Sequence, residues 1–140
     1  MAEIEIKSLR ALVVDDHMMI RRLIETFLQE EGLQHIDLVG DSEEAEAKLE
    51  FHNYDIIFLD WNLPGRSGYS LLQSLRQERK HDRTAIVMVT AQAEERYVIE
   101  ALKAGATAYI VKPVSAESFH NNLLKIVQWL ERVRALQSAR

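Results

Sequence analysis

The run Asp55-Ile56-Ile57-Phe58-Leu59-Asp60-Trp61-Asn62-Leu63-Pro64-Gly65 decides the fold. Its apolar centre is too short for a helix and lacks the alternation of a half-exposed strand, the pattern of a strand covered on both faces. It closes on a carboxylate, Asp60. The segment that follows, residues 61–68, holds one proline and two glycines and is read as a loop. A buried strand ending in an acid and a loop suits a parallel sheet, whose ligands gather outside the carboxyl ends of the strands.

The same design recurs on either side. Upstream, Ala11-Leu12-Val13-Val14 stops at Asp15-Asp16, and His35–Val39 makes a short second strand. Downstream, Ala85–Val89 ends at Thr90, and Ala108–Val111 ends at Lys112-Pro113. Between them lie helical stripes. Ile20, Leu23, Ile24, Phe27 and Leu28 share one helix face, with Gly32 as the left-handed stop. Asp41 and Glu44 form a capping box for a helix to about His52. Tyr69, Leu72 and Leu75 mark a third helix, and Val98, Ala101 and Leu102 a fourth that closes at Gly105. The last helix starts near Ser115. Its stripe, Phe119, Leu123, Ile126, Leu130 and Val133, docks on the sheet as far as Leu130, and Val133 with Leu136 is read as a partner or dimer surface. This strand–helix alternation predicts an α/β fold with a doubly wound, five-stranded parallel sheet in the order 2-1-3-4-5, flavodoxin-like.

Bulk properties bound the function. A chain of 140 residues, 47% of them hydrophobic, suffices for one core, so a single domain over residues 1–140 is expected, with a core of about residues 9–130 and a helical extension at 131–140. A net charge of −5 argues against nucleic-acid binding through phosphate neutralisation. The absence of cysteine excludes disulfides, thiolate metal sites and a cysteine nucleophile. Apolar runs stay at strand length, and no signal-like stretch opens the chain, so no membrane partner and a cytoplasmic address are expected.

The predicted sheet order gathers Asp15, Asp16, Asp60, Thr90 and Lys112 at one edge. Three carboxylates in one crevice repel, and a hard divalent cation such as Mg2+, which prefers oxygen ligands, offsets that repulsion. A lysine, a hydroxyl and a cation around an aspartate suit phosphoryl transfer onto that aspartate. Asp60 is the best nucleophile candidate. Asp15 and Asp16 read as metal holders, one direct and one through water. Taken singly, each has a commoner fate: Asp16 caps the first helix, Thr90 caps the fourth, and Lys112 is a solvated lysine. Their joint occurrence favours function.

The residues Val13-Val14-Asp15-Asp16, Leu59-Asp60-Trp61-Asn62-Leu63-Pro64 with Gly68, Val89-Thr90-Ala91 and Tyr109-Ile110-Val111-Lys112-Pro113 resemble the receiver domains of two-component response regulators. The likeness is greatest to the single-domain chemotaxis regulators of the CheY type and covers about Leu9 to Leu130. It implies that Asp60 accepts phosphate from a histidine kinase or a small phosphodonor. Asp15, Asp60 and the Asn62 backbone carbonyl would hold Mg2+, with Asp16 acting through water. Thr90 and Lys112 would bind phosphoryl oxygens, Thr90 and Tyr109 would form the switch, with Tyr109 turning inward from solvent, and the bond before Pro113 would be cis. The output would be a protein partner, such as the flagellar motor switch or another signalling protein, with a phosphatase as a further possible partner. Such a chain is not an enzyme beyond catalysing its own phosphorylation and dephosphorylation.

Departures from the family pattern are visible. Ser67 stands where receivers often have aspartate, and His17 where the chemotaxis regulators have an aromatic; His17 is read as a surface or supporting residue, metal binding being a minor alternative. Asn62 and Gln92 occupy positions that set phosphate lifetime. A phosphorelay intermediate or a phosphate sink fits the chain equally well. An aspartyl-nucleophile phosphatase is a remote alternative, because the expected general acid is replaced by Asn62. Dinucleotide binding fails because Asp15-Asp16-His17 puts negative charge where a pyrophosphate would sit.

Overall fold

A computed structural model describes residues 3–138. The five strands are β1 (Arg10–Val14), β2 (His35–Val39), β3 (Ile56–Leu59), β4 (Ala85–Thr90) and β5 (Ala108–Val111). They pair in parallel in the order β2-β1-β3-β4-β5, the expected topology. The helices are α1 (Met18–Glu30), α2 (Ser42–Phe51), α3 (Gly68–Arg76), α4 (Glu95–Lys103) and α5 (Ala116–Ser138).

Strand alternation splits the interior into two layers. Ala11, Val13, Phe58, Val87 and Ile110 meet Ile24 and Leu28 of α1 and Phe119, Leu123, Ile126 and Leu130 of α5. Leu12, Val14, Ile57, Ile86 and Met88 meet α2, α3 and α4 through Ala45, Leu49, Leu71, Leu72, Leu75 and Ala101. Both faces of β1, β3 and β4 are therefore dry, which accounts for their unbroken apolar runs. Leu23 and Leu102, placed on core faces by their spacing, are exposed instead. The buried stripes of α1 and α4 are narrower than the sequence pattern.

Helix ends depart from expectation in instructive ways. Asp41 caps α2 by accepting from the Glu44 amide at 2.8 Å, while the Glu44 carboxylate accepts from the Gly40 amide at 3.1 Å rather than from Asp41. Ser67 caps α3 by accepting from the Ser70 amide at 3.1 Å, a role the sequence reading missed. Asp16 does not cap α1: the N-cap is His17, which makes no side-chain cap bond. Nor does Thr90 cap α4, whose N-cap is Glu94.

Past Leu130, α5 continues to Ser138. Arg134 binds Asp55 at 2.8 Å and Glu131 accepts from the Ile4 amide at 3.2 Å, so this turn of helix is tied to the amino ends of the strands. Leu136 is exposed, and residues 139–140 of the expected extension lie outside the described residues. Among the described residues, no helix is long and apolar enough to cross a membrane.

Candidate functional site

The carboxyl ends of β1, β3, β4 and β5 deliver their polar residues to one edge. The ladder carries on past the strands: the Asp60 amide donates to the Val14 carbonyl at 3.0 Å, and the Lys112 amide to the Thr90 carbonyl at 2.9 Å. Asp15 is 1% exposed, Asp60 5% and Thr90 0%. Burying two carboxylates is costly unless each is paired. Lys112 supplies the pairing: its Nζ lies 2.7 Å from Asp15 Oδ2 and 2.9 Å from Asp60 Oδ2. Burial pulls this ammonium down, but the hydrogen bonds and charges of both carboxylates outweigh it and leave it above the ordinary lysine range.

The other carboxylate oxygens face a different set. Asp15 Oδ1 accepts from the His17 amide at 2.8 Å, and Asp60 Oδ1 from the Asn62 amide at 3.3 Å. Arg21 donates to the Asp15 carbonyl at 2.6 Å, fixing the turn into α1. Asp16 is exposed, with Oδ1 3.2 Å from His17 Nδ1. One ligand atom each from Asp15, Asp16, His17 and Asp60 lie within 4.8 Å of one another, a cluster that can hold a metal ion. Three of these four donors are hard carboxylate oxygens, which suit a divalent cation. Sequence reasoning left His17 at the margin of this group; its adjacency to the acidic pair was the available signal.

Loop 61–67 folds back over Asp60. The Gly68 amide donates to the Trp61 carbonyl at 2.8 Å, and a Cβ on Gly68 would lie 1.8 Å from the Asp60 carbonyl oxygen. Only glycine lets α3 begin there. Trp61 stacks on Tyr69 with ring centroids 4.6 Å apart and meets Tyr97 of α4 edge-on at 5.1 Å, so the wall beside Asp60 is aromatic.

Thr90 is level with Val111 in the β4–β5 register, one residue before Lys112, and its Oγ1 accepts from the Gln92 amide at 3.3 Å. Tyr109 is half-buried, and its hydroxyl donates to the Gln92 carbonyl at 2.6 Å. Burial, the Asp60 charge and Tyr97 push its phenol up to about 12. Tyr109, expected to turn inward from solvent, here has its hydroxyl on the Gln92 carbonyl and its ring beside the α2–α4 core layer. The Lys112–Pro113 peptide bond is cis.

Comparison with known proteins agrees with this edge of the sheet. A family model described as the response regulator receiver domain matches residues 11–124. The chain belongs to the response regulator receiver family. This receiver is 33% identical over 124 residues to chemotaxis protein CheY-3 of Vibrio cholerae serotype O1, covering 89% of this chain and 95% of that relative. It is 33% identical over 120 residues to chemotaxis protein CheY of Pseudomonas aeruginosa, covering 86% and 97% respectively. Among solved structures, the chemotaxis response regulator CheY4 of Vibrio cholerae superposes with a TM-score of 0.78 at 29% identity, covering 84% of this receiver and 98% of that chain. The family match ends inside α5, so Arg134 lies beyond it while its partner Asp55 lies within.

Proposed function

We propose that this receiver is a single-domain signalling switch over residues 1–140, with a core of about residues 9–130, phosphorylated on Asp60 by a histidine kinase in the cytoplasm. The carrying observation is Lys112 Nζ, held between Asp15 and Asp60 at 2.7 and 2.9 Å. An ammonium there stands where it can meet an oxygen of an incoming phosphoryl group. Asp15, Asp60 and the Asn62 carbonyl would hold Mg2+, with Asp16 acting through water. When bound, the ion neutralises charge on the phosphoryl oxygens.

The Asp60 carboxylate attacks the phosphorus of a phosphohistidine in line. The P–N bond breaks, its electron pair stays on the imidazole, and that nitrogen takes a proton. Lys112 and the Thr90 hydroxyl bind two of the transferred oxygens. The product carries close to two negative charges and three acceptor oxygens in place of one carboxylate charge. Thr90, drawn towards them, loosens its hold on the Gln92 amide. The same residue, Gln92, carries the Tyr109 hydroxyl bond, so the change reaches the surface formed by α4, β5 and α5. That surface then selects a protein target, such as the motor switch in chemotaxis. Such a chain turns over no substrate beyond its own phosphate.

Trp61 reports both steps. Mg2+ and then beryllofluoride or acetyl phosphate should each change its fluorescence, and Asp60→Asn should abolish the second response. Rapid turnover of a phosphoester without a trapped acyl phosphate would instead identify a phosphatase. A pull-down with the beryllofluoride form would separate a motor target from a phosphorelay partner.

A further inference from the structure

Resting on the cation-site reading above, we propose that His17 is a direct metal ligand, so that this pocket favours divalent d-block ions that accept an imidazole nitrogen, such as Co2+, Ni2+ or Zn2+, over Mg2+. His17 Nδ1 lies 3.3 Å from Asp15 Oδ1 and 3.2 Å from Asp16 Oδ1. A charge-assisted hydrogen bond between such groups closes to about 2.7–2.9 Å. Two ligands on adjacent corners around a cation with bonds of about 2.0–2.2 Å stand roughly 3 Å apart. The 3.3 Å spacing to Asp15 Oδ1, a direct ligand in the reading above, is closer to the edge of a coordination polyhedron than to a tight ion pair.

The surrounding bonds hold that arrangement. Lys112 occupies the Oδ2 atoms of Asp15 and Asp60, leaving Oδ1 of Asp15 on the His17 side. The His17 amide, 2.8 Å from that oxygen, ties the residue to Asp15. As N-cap of α1 with no side-chain cap bond, the ring has no helix-capping task. Its side chain is 68% exposed, so it reaches the cation from the solvent side and can be replaced without disturbing the core. Imidazole strengthens binding of Co2+, Ni2+ and Zn2+ far more than that of Mg2+, which keeps to oxygen ligands and water.

The test uses the intact chain and two variants, His17→Phe and His17→Gln. Co2+ and Mg2+ are titrated separately and in competition, following Co2+ d–d absorption and Trp61 fluorescence, and Mn2+-loaded samples are probed by pulsed EPR for 14N coupling. The expected result is tighter binding of Co2+ than of Mg2+, and loss of about ten-fold or more of Co2+ affinity in both variants with Mg2+ changed by less than about three-fold. The 14N coupling should be present in the parent and absent from both variants. An unchanged Co2+-to-Mg2+ ratio with Mg2+ still bound overturns the inference and leaves the receiver reading standing. A Co2+ spectrum unchanged by both Asp15→Asn and Asp60→Asn belongs to another site and also overturns it. Failure of the parent chain to bind either ion overturns both.

Discussion

The carbonyl oxygen of Asp60 occupies the place where a side chain on Gly68 would start: a Cβ there would sit 1.8 Å away. Loop 61–67 thus leaves Asp60 and returns to pack against that residue's own backbone, and the start of α3 is set by that approach.

Gly68→Ala must therefore shift either the Asp60 carbonyl or the first turn of α3. The expected cost is about 3 kcal/mol or more in urea unfolding, since the clash is with backbone rather than with a flexible side chain. Mg2+ affinity, read from Trp61 fluorescence, should fall as well. An alanine variant with parental stability and affinity would show that the loop relaxes freely.

Lys112→Ala should separate two effects. Removing a positive charge 2.7 Å from Asp15 and 2.9 Å from Asp60 leaves both buried carboxylates to a cation, so Mg2+ should bind several-fold more tightly. Phosphorylation by acetyl phosphate should nevertheless slow by about a hundred-fold, because the second charge on the phosphoryl oxygens is gone. Titration and phosphorylation kinetics on the same sample check both.

Tyr109→Phe deletes the 2.6 Å bond to the Gln92 carbonyl. The loss should be about 1 kcal/mol of stability in the unphosphorylated protein, the net worth of one such bond. Spectroscopic response to beryllofluoride at Trp61 should persist, while affinity for the captured target falls.

His81 supplies a pH test remote from the Asp15–Asp60 cluster. It is 6% exposed, and burial pushes its imidazole below the ordinary range despite the pull of Glu78. The unfolded chain takes up this proton near pH ~6.5, before the folded one does. The stability linked to neutral His81 is therefore present above that pH and is lost as pH falls towards the lower folded value. His81→Gln should show a smaller drop in unfolding free energy between pH 7.5 and 5.5 than the parent. An equal drop would assign the acid sensitivity to other groups.

Strand identity, sheet order and family were legible because each rests on a local pattern: unbroken apolar runs in β1, β3 and β4, acids after β1 and β3, a threonine closing β4 and a lysine after β5, and stop signals at Gly32 and Gly105. Element ends were less legible. Ser67 as the cap of α3 and His17 rather than Asp16 at the start of α1 depend on which backbone amide a side chain reaches, and spacing alone leaves that open. Arg76 was invisible: it donates to the Gly105 and His81 carbonyls at 2.8 and 2.7 Å and to Thr107 at 3.2 Å, tying α3 to the turn before β5. A single arginine in a polar run carries no sign that it will fill such a gap.

Sequence alone determined which residues belong to the strand ends, because hydrophobic periodicity and the order of elements are written along the chain. Tertiary structure decided which oxygen of Asp15 and of Asp60 faces Lys112, leaving the other to the His17 amide in the first and the Asn62 amide in the second, that Tyr109 rests on the Gln92 carbonyl, and that α5 is tied at its far end by Arg134. Those outcomes depend on distances between groups up to 97 positions apart in the chain. Such distances follow from how the helices pack on the twisted sheet, and no local pattern encodes them.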